Sequence, residues 1–258
     1  MSRYSSFDHR RQVERIDLQA LAVGGDEVGA RVLSARLLQQ FSSFTSVIKS
    51  GREPVHLVPT DQEVIELLRK TGGLREGHFE YPNGLHASEY LQVALTMRNY
   101  DAAKVLSVGL SRQLRAHADI RAIIPQLSIV APATSGLPVA YGMGEALRVR
   151  QVYWAERDGV GDKHYFRQFL DVQPEEKVLL VDDILRTGRK LTEVRKLIEE
   201  RGGEVVGLAV VIHQPYPEAA MFDSLPFYYL AKLEGTNYEE PVTCEQCRKG
   251  VPLTKVLV

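Results

Sequence analysis

Continuous apolar runs and helically spaced apolar positions alternate along the chain from about residue 100 onward. The runs typical of buried β-strands are LSIVA (127–131), QVYWA (151–155), VLLV (178–181) and VVGLAVVI (205–212). Amphipathic segments between or before these runs predict helices at 101–117, 138–147 and 190–201. Strands that are apolar throughout and alternate with helices favour an α/β fold, with a parallel sheet covered by helices on both faces.

The first part of the chain has a different pattern. Apolar residues recur there at steps of three and four, as at Val28, Val32 and Leu33, which predicts a helical N-terminal extension over residues 1–57. We expect the extension to pack on the main domain, predicted to span 58–258, or on a partner subunit.

A helix with a defined start opens the main domain. Thr60 and Glu63 have the spacing of a capping box, and Gly72 and Gly73 end the segment. The stretch KSGREPVHLVP before it contains a glycine and two prolines, which is typical of a linker.

Composition and charge narrow the class of protein. The chain has 258 residues, is 44% hydrophobic and carries a formal net charge of -1, so no global field attracts nucleic acid or an anionic membrane. No apolar run approaches the roughly 18 residues of a membrane span, and the N-terminus is charged where a signal peptide needs an apolar centre. We therefore expect a cytoplasmic protein whose partners are neither nucleic acid nor membrane.

Three segments are predicted to meet at one edge of the sheet. In open α/β sheets, ligands lie beyond the carboxyl ends of the parallel strands. The segments that follow predicted strands are Pro132–Gly136, Glu156–Phe166 and Asp182–Arg189. The ligand site is expected among them.

The third segment carries the clearest chemistry. Asp182 and Asp183 come directly after the apolar run VLLV, and two adjacent carboxylates suit a metal or a ligand with several hydroxyls. The loop after them, with the Thr187 hydroxyl and the conformational freedom of Gly188, predicts an anion pocket at a helix N-terminus. A ligand with a polyol and a phosphate fits this order of groups.

These residues resemble a known motif. VLLVDDILRTGRKL is similar to the 5-phosphoribosyl-1-pyrophosphate (PRPP) motif of the type I phosphoribosyltransferases. The segments similar to those of orotate phosphoribosyltransferases, in the same order, are REGHFEYPNGLHASEYLQ (75–92), VAPATSG (130–136), YWAERDG (153–159) and CEQCRKGVPL (244–253). The resemblance covers roughly residues 60–253 and implies the type I phosphoribosyltransferase fold.

The resemblance also implies roles for the PRPP-binding residues. Asp182 and Asp183 would engage the ribose 2- and 3-hydroxyls. The 5-phosphate would be held by Leu185, Arg186, Thr187, Gly188 and Arg189. The pyrophosphate, with Mg2+ held mainly by PRPP rather than by the protein, would lie against Ala133, Thr134, Ser135 and Gly136.

Further positions follow from the same resemblance. Arg157 matches a basic position that contacts phosphate. Lys163 and His164 lie in the segment of a mobile catalytic loop, where cations neutralise the departing pyrophosphate. His86 lies near a ligand-facing position.

The activity implied is transfer of ribose 5-phosphate from PRPP to a pyrimidine base, most directly orotate, by a homodimer whose sites are completed by a neighbouring loop. The chain departs from the family pattern in carrying Arg186, Arg189 and Lys190 where small residues are usual. Two alternatives therefore remain: a non-catalytic sensor of PRPP or nucleotide with the same fold, and a transferase for uracil or a purine.

Other patterns have simpler interpretations. An Asp-Asp pair after a strand also occurs in response-regulator receiver domains, but only 75 residues (258 minus 183) follow Asp183, too few for such a domain. Cys244 and Cys247 supply two ligands of a possible zinc site or are reduced thiols. The histidines interpreted as structural are His78, His117 and His213.

Overall fold

A computed structural model describes residues 58–157, 159, 163–215, 222, 224–235, 237–238 and 241–256. The predicted N-terminal extension lies outside the described residues. The helices are α1 (Asp61–Thr71), α2 (Val93–Met97), α3 (Tyr100–Ala116), α4 (Ala118–Ile123), α5 (Leu137–Leu147), α6 (Arg189–Glu199) and α7 (Glu245–Arg248), with a 3-10 turn at Ile124–Gln126. The strands are β1 (Leu74–Glu80), β2 (His86–Leu91), β3 (Leu127–Pro132), β4 (Gln151–Arg157), β5 (His164–Tyr165), β6 (Lys177–Leu185), β7 (Glu204–His213), β8 (Phe227–Lys232), β9 (Asn237–Tyr238) and β10 (Thr254–Lys255).

The larger sheet has the order β5-β4-β3-β6-β7-β8. Every neighbouring pair in it is parallel except β4 and β5. The chain leaves β3 toward β4 and leaves β6 toward β7, in opposite directions from the middle of the sheet. The carboxyl ends of β3 and β6 therefore flank the point where ligands bind in such sheets.

Helices cover both faces of this sheet, as predicted. Alternate residues of a strand face opposite sides, so Ile129 and Leu179 join one apolar cluster while Val130 and Leu180 join the other. The first cluster contains buried residues of α1, α3 and α5, and the second contains the buried face of α6. The expected α/β fold with flanking helices is confirmed.

A second, smaller sheet has four strands in the order β10-β1-β2-β9. Its centre is the antiparallel hairpin β1–β2, and β10 pairs with β1 in parallel. The pattern did not predict this sheet. The pairing of β1 with β2 shifts register between Glu76 and Phe79, so the regular two-residue alternation expected of a half-buried strand is interrupted.

The predicted helix boundaries agree closely with the structure. Thr60 caps α1 with both hydrogen bonds of the capping box to Glu63, and Gly72 ends the helix with a φ of 79°. One boundary was wrong: β6 does not stop before the acids but runs through Asp182 and Asp183 to Leu185. Its pairing with β7 continues to the end, because β7 extends equally far.

Among the described residues, no helix is long and apolar enough to cross a membrane.

The packing of α3 leads to a stability prediction. Leu110 is fully buried in the first apolar cluster, so Leu110→Ala should lower the free energy of unfolding by roughly 2–5 kcal/mol. Val105 on the same helix is 49% exposed. Val105→Ala should therefore change the free energy of unfolding by less than about 0.5 kcal/mol. Urea unfolding of both variants measures the difference. Equal effects would contradict the burial of this helix face.

Candidate active site

A cavity of about 300 Å³ opens at the carboxyl end of β6. Its wall comes from the last residues of β6, the loop that leads into α6, and the first turn of that helix. Ser135, from the loop after β3, and Leu91, at the end of β2, complete the lining. Residues from three separate parts of the chain thus meet at the edge where the sheet topology predicts a ligand.

An ion pair joins two of these segments. The Lys190 ammonium, in the first turn of α6, lies 2.7 Å from Asp182 Oδ2 and donates a hydrogen bond of 2.9 Å to Ser135 Oγ. The Ser135 hydroxyl in turn donates to Asp182 Oδ1 at 3.3 Å. The loop after β3 is therefore tied to the acid pair on β6.

Burial dominates the electrostatics of Asp182. Its side chain is completely inaccessible to solvent, which raises the pKa of the carboxyl group, and the neighbouring charge of Asp183 raises that pKa further. The Lys190 ammonium acts in the opposite direction and favours the carboxylate. Lys190 is thus the group that stabilises a negative charge at the bottom of the cavity.

Backbone amides orient both acids. The Asp183 N–H donates to Asp182 Oδ1 and the Ile184 N–H donates to Asp183 Oδ1, each at 2.9 Å. After Leu185 the chain turns through Gly188, whose φ of 72° is a left-handed conformation that glycine adopts readily. The turn brings the N-terminus of α6, with its partial positive charge, to the cavity.

The loop after β3 approaches the acids closely. A Cβ atom at Gly136 would lie 3.0 Å from Asp182 Oδ1 and 3.0 Å from the Pro132 carbonyl oxygen, closer than side-chain carbons normally come. The Ala133–Thr134 peptide bond in this loop is cis. A residue larger than glycine at position 136 would push the loop and the carboxylate apart.

Comparison with known proteins agrees with this geometry. Residues 101–245 match the model of the phosphoribosyl transferase domain. The chain belongs to the phosphoribosyltransferase family. It is 34% identical to an orotate phosphoribosyltransferase of Carboxydothermus hydrogenoformans over 193 residues, which cover 75% of this chain and 95% of the relative. It is also 32% identical to an orotate phosphoribosyltransferase of Thermus thermophilus over 194 residues, which cover 75% of this chain and 100% of that relative.

A solved structure supports the fold. The crystal structure of orotate phosphoribosyltransferase from Aeropyrum pernix has a TM-score of 0.54 to this chain at 19% identity, covering 66% of this chain and 93% of that one. The predicted family and fold class are therefore confirmed. As a phosphoribosyltransferase, the protein is a pentosyltransferase that uses PRPP and a base.

The structure brings together only part of the predicted phosphoribosyltransferase site. The predicted residues that line the cavity are Ser135, Asp182, Asp183, Leu185, Arg186, Thr187 and Gly188. The remaining predicted residues, which do not line it, are Ala133, Thr134, Gly136, Arg157, Lys163, His164, Arg189 and His86. The first three of these belong to the loop that Ser135 and Lys190 tie to the acids.

The predicted catalytic histidine has a defined partner. His164 lies in β5 opposite Arg157, and its Nδ1 is 2.9 Å from Glu193 Oε2 on α6. Its side chain is only 3% exposed, whereas Lys163 is exposed. Burial tends to raise the pKa of Glu193, but hydrogen bonds from His164 and Arg189 outweigh it and the pKa is lowered. The histidine is therefore anchored to the helix that carries Lys190.

Two residues of the site were not singled out from the sequence, although both lie in the segment 75–92 that resembles orotate phosphoribosyltransferases. Tyr81, in the turn of the β1–β2 hairpin, places its ring 5.6 Å from the Arg186 guanidinium carbon, within range of a cation–π interaction. Leu91 contributes to the cavity wall. Both lie about a hundred residues before β6 in the chain, and only the tertiary fold brings them to the site.

His86 lies elsewhere. It is buried in the smaller sheet, with Nδ1 2.9 Å from His78 Nε2 and 3.3 Å from Cys247 Sγ. Its surroundings are those of a separate cluster on that sheet.

The ion pair predicts a pH dependence. Replacing Lys190 with Met removes the group that lowers the pKa of Asp182, so the carboxylate should form only at higher pH. The acidic limb of PRPP binding should move upward in pH, and affinity should fall roughly ten-fold near neutrality, as for the loss of one charge-assisted hydrogen bond of about 1.5 kcal/mol. Calorimetry with PRPP and Mg2+ over a pH series measures both.

Lys196→Met is the matched control, because that lysine lies on the same helix with its side chain 75% exposed. Superimposable pH profiles for the two variants would show that Lys190 does not control the ionisation of Asp182.

Proposed function

We propose that this protein transfers the ribose 5-phosphate group of PRPP to orotate, giving orotidine 5-phosphate and pyrophosphate. The observation that carries the proposal is the Lys190–Asp182–Ser135 connection, which joins the acid pair and the anion-binding loop to the loop after β3 around one cavity. Family membership supplies the cosubstrate. The relatives named orotate phosphoribosyltransferase, at 32–34% identity, support the choice of base.

The proposed pose of PRPP follows the order of groups along the cavity. Asp182 and Asp183 accept hydrogen bonds from the ribose 2- and 3-hydroxyls, and the backbone amides from Leu185 to Gly188 hold the 5-phosphate at the N-terminus of α6. The loop at Ala133–Gly136 receives the pyrophosphate. Arg186 and Lys190 add positive charge on the phosphate side of the cavity.

Mg2+ is the proposed cofactor. Hard cations prefer oxygen ligands, and PRPP bound in this cavity would supply most of them, with the Asp183 carboxylate and the Ser135 hydroxyl close by, so the lining fits an ion that arrives with PRPP. When bound with PRPP, Mg2+ supplies positive charge that offsets the charge of the leaving pyrophosphate.

The proposed reaction breaks the C1–O bond of the sugar and forms a C1–N bond to the base. The bonding electrons leave with pyrophosphate, the base nitrogen supplies the new pair, and its proton goes to solvent. The sugar passes through a state with positive charge at C1, which the nearby carboxylates stabilise electrostatically. In this proposal Arg157, Lys163 and His164 lie on the side of the leaving phosphates, and Arg189 lies with the 5-phosphate. His86 is withdrawn as a substrate contact.

The acid pair is tested by Asp183→Asn. Loss of its negative charge should reduce kcat by roughly 10²-fold or more, the scale on which a preorganised electrostatic group acts, while the fold persists because the amide is isosteric. Asp101→Asn, at an exposed position in the first turn of α3, should retain full activity. Pyrophosphate release and circular dichroism are measured on both. Undiminished turnover by Asp183→Asn would remove the acids from the mechanism.

A second candidate function is a PRPP sensor without turnover. It is favoured by Lys190, whose ammonium lies 2.7 Å from Asp182 Oδ2 and donates a hydrogen bond to Ser135, so both groups already have a partner within the chain. Incubation with PRPP, Mg2+ and orotate, uracil, adenine or hypoxanthine in turn distinguishes the functions. Pyrophosphate release with orotate supports the proposal, whereas release only with another base would identify that base as the substrate. PRPP binding without pyrophosphate release on any base supports the sensor.

We further propose a homodimer. Two tyrosines on neighbouring helices line a cavity of about 930 Å³. Tyr100 on α3 is 75% exposed, and Tyr141 on α5 is 54% exposed. Large exposed aromatic side chains at a concavity are typical of interaction surfaces, and the resemblance to dimeric transferases assigns the partner as a second copy.

Tyr141→Glu should therefore shift the protein to monomers, because a buried carboxylate would face the interface. Phe169→Glu, at a side chain that is 95% exposed, is the control and should leave the mass unchanged. Light scattering after gel filtration gives the mass of each. A dimeric mass for Tyr141→Glu, or a monomeric wild type, would contradict this surface.

A further inference from the structure

Two histidines and two cysteines converge on one point of the smaller sheet, outside the active-site cavity. The four side chains are His78 on β1, His86 on β2, Cys244 at the N-cap of α7 and Cys247 within that helix. Their ligand atoms all lie within 4.8 Å of one another, and three of the four residues are buried. We propose that these residues bind one zinc ion, which fastens the C-terminal segment to the β1–β2 hairpin.

The distances suit a tetrahedral ion. Zinc bonds of about 2.3 Å to sulfur and about 2.0 Å to nitrogen place tetrahedral ligand atoms roughly 3.3–3.8 Å apart. His78 Nε2 lies 3.6 Å from Cys244 Sγ and 3.5 Å from Cys247 Sγ, and His86 Nδ1 lies 3.3 Å from Cys247 Sγ. The two ring nitrogens, 2.9 Å apart, need to separate by a few tenths of an ångström.

The hydrogen bond of His78 selects its ligand atom. His78 Nδ1 lies 2.8 Å from the carbonyl oxygen of Val251, which only accepts, so Nδ1 carries the proton and Nε2 presents its lone pair. Metal-bound histidines commonly donate their second nitrogen in this way. Three further atoms, His86 Nδ1 and both sulfurs, lie close to this lone pair, but it can accept only one good hydrogen bond. A cation at the centre of the cluster would instead be bound by all four atoms at once.

The donor set favours zinc and a structural role. Two thiolates and two imidazoles suit zinc among the common divalent ions, and four protein ligands leave no position open for a substrate. Binding would release the two thiol protons and leave the site electrically neutral. A disulfide between the two cysteines is the competing fate of these thiols, and both cysteines are free in the structure.

The cluster lies on the same hairpin that borders the active-site cavity. The hairpin that carries both histidines also carries Tyr81, whose ring lies against Arg186, and β2 ends at Leu91 in the cavity wall. The C-terminal segment pairs with the same hairpin through β10. Zinc would therefore hold one wall of the PRPP cavity in place without touching a reactant, whichever base the protein accepts.

The test begins with the 258-residue chain, purified without a histidine tag and analysed by elemental mass spectrometry. We expect one zinc per chain in the wild type and a loss of most of it in Cys247→Ser. His117→Asn, which changes an exposed histidine outside the cluster, should retain one zinc. A chelator should lower the Tm of the wild type and of His117→Asn.

A second measurement covers the case in which Cys247→Ser fails to fold. Replacing zinc by cobalt(II) in the wild type should give the strong visible absorption of a tetrahedral site, with sulfur-to-cobalt charge transfer in the near ultraviolet. Cys247→His, which restores a ligand, should keep the metal with weaker charge transfer. Folded wild-type protein that takes up no stoichiometric zinc or cobalt, or that carries a Cys244–Cys247 disulfide, would overturn the proposal. None of these readouts depends on catalytic activity.

Discussion

The pairing of Lys190 with Asp182 is the interaction on which the site depends. A fully buried carboxylate is costly to ionise, and a second acid beside it increases that cost. The ammonium group reaches it from the first turn of α6 and also binds Ser135 on the loop after β3. One cation thereby offsets part of the cost of ionising Asp182 and couples the two loops that flank the middle of the sheet.

This coupling is possible because of the sheet topology. β3 and β6 are neighbours whose following segments leave in opposite directions, which opens the sheet edge between their carboxyl ends. The smaller sheet borders the cavity at Leu91, and Tyr81 beside it contacts Arg186 of the loop after β6. The large sheet thus provides the charged groups, and the hairpin with its histidine–cysteine cluster lies against the loop from Leu185 to Gly188.

Much of the large sheet could be predicted from the sequence, because strands buried on both faces are apolar throughout and α6 has a clear amphipathic face. The hairpin could not, since a register shift interrupts its alternation and its outer partners, β9 and β10, come from the distant C-terminal part of the chain. The acid pair and the loop from Leu185 to Gly188 are contiguous and carry a local motif. Ser135, the second partner of Lys190, lies 55 residues away in the chain, and the partners of His164 and Cys244 lie 29 and 166 residues away. Only the folded structure identifies those contacts.

In the proposed complex, PRPP lies along this cavity in one orientation. A crystal of the protein soaked with PRPP and Mg2+ would show that orientation. We expect the ribose 2- and 3-hydroxyls within hydrogen-bond distance of the Asp182 and Asp183 carboxylates, with the 5-phosphate on the amides between Leu185 and Gly188. PRPP bound at another site, or in this cavity with its phosphate and hydroxyl ends exchanged, would contradict it.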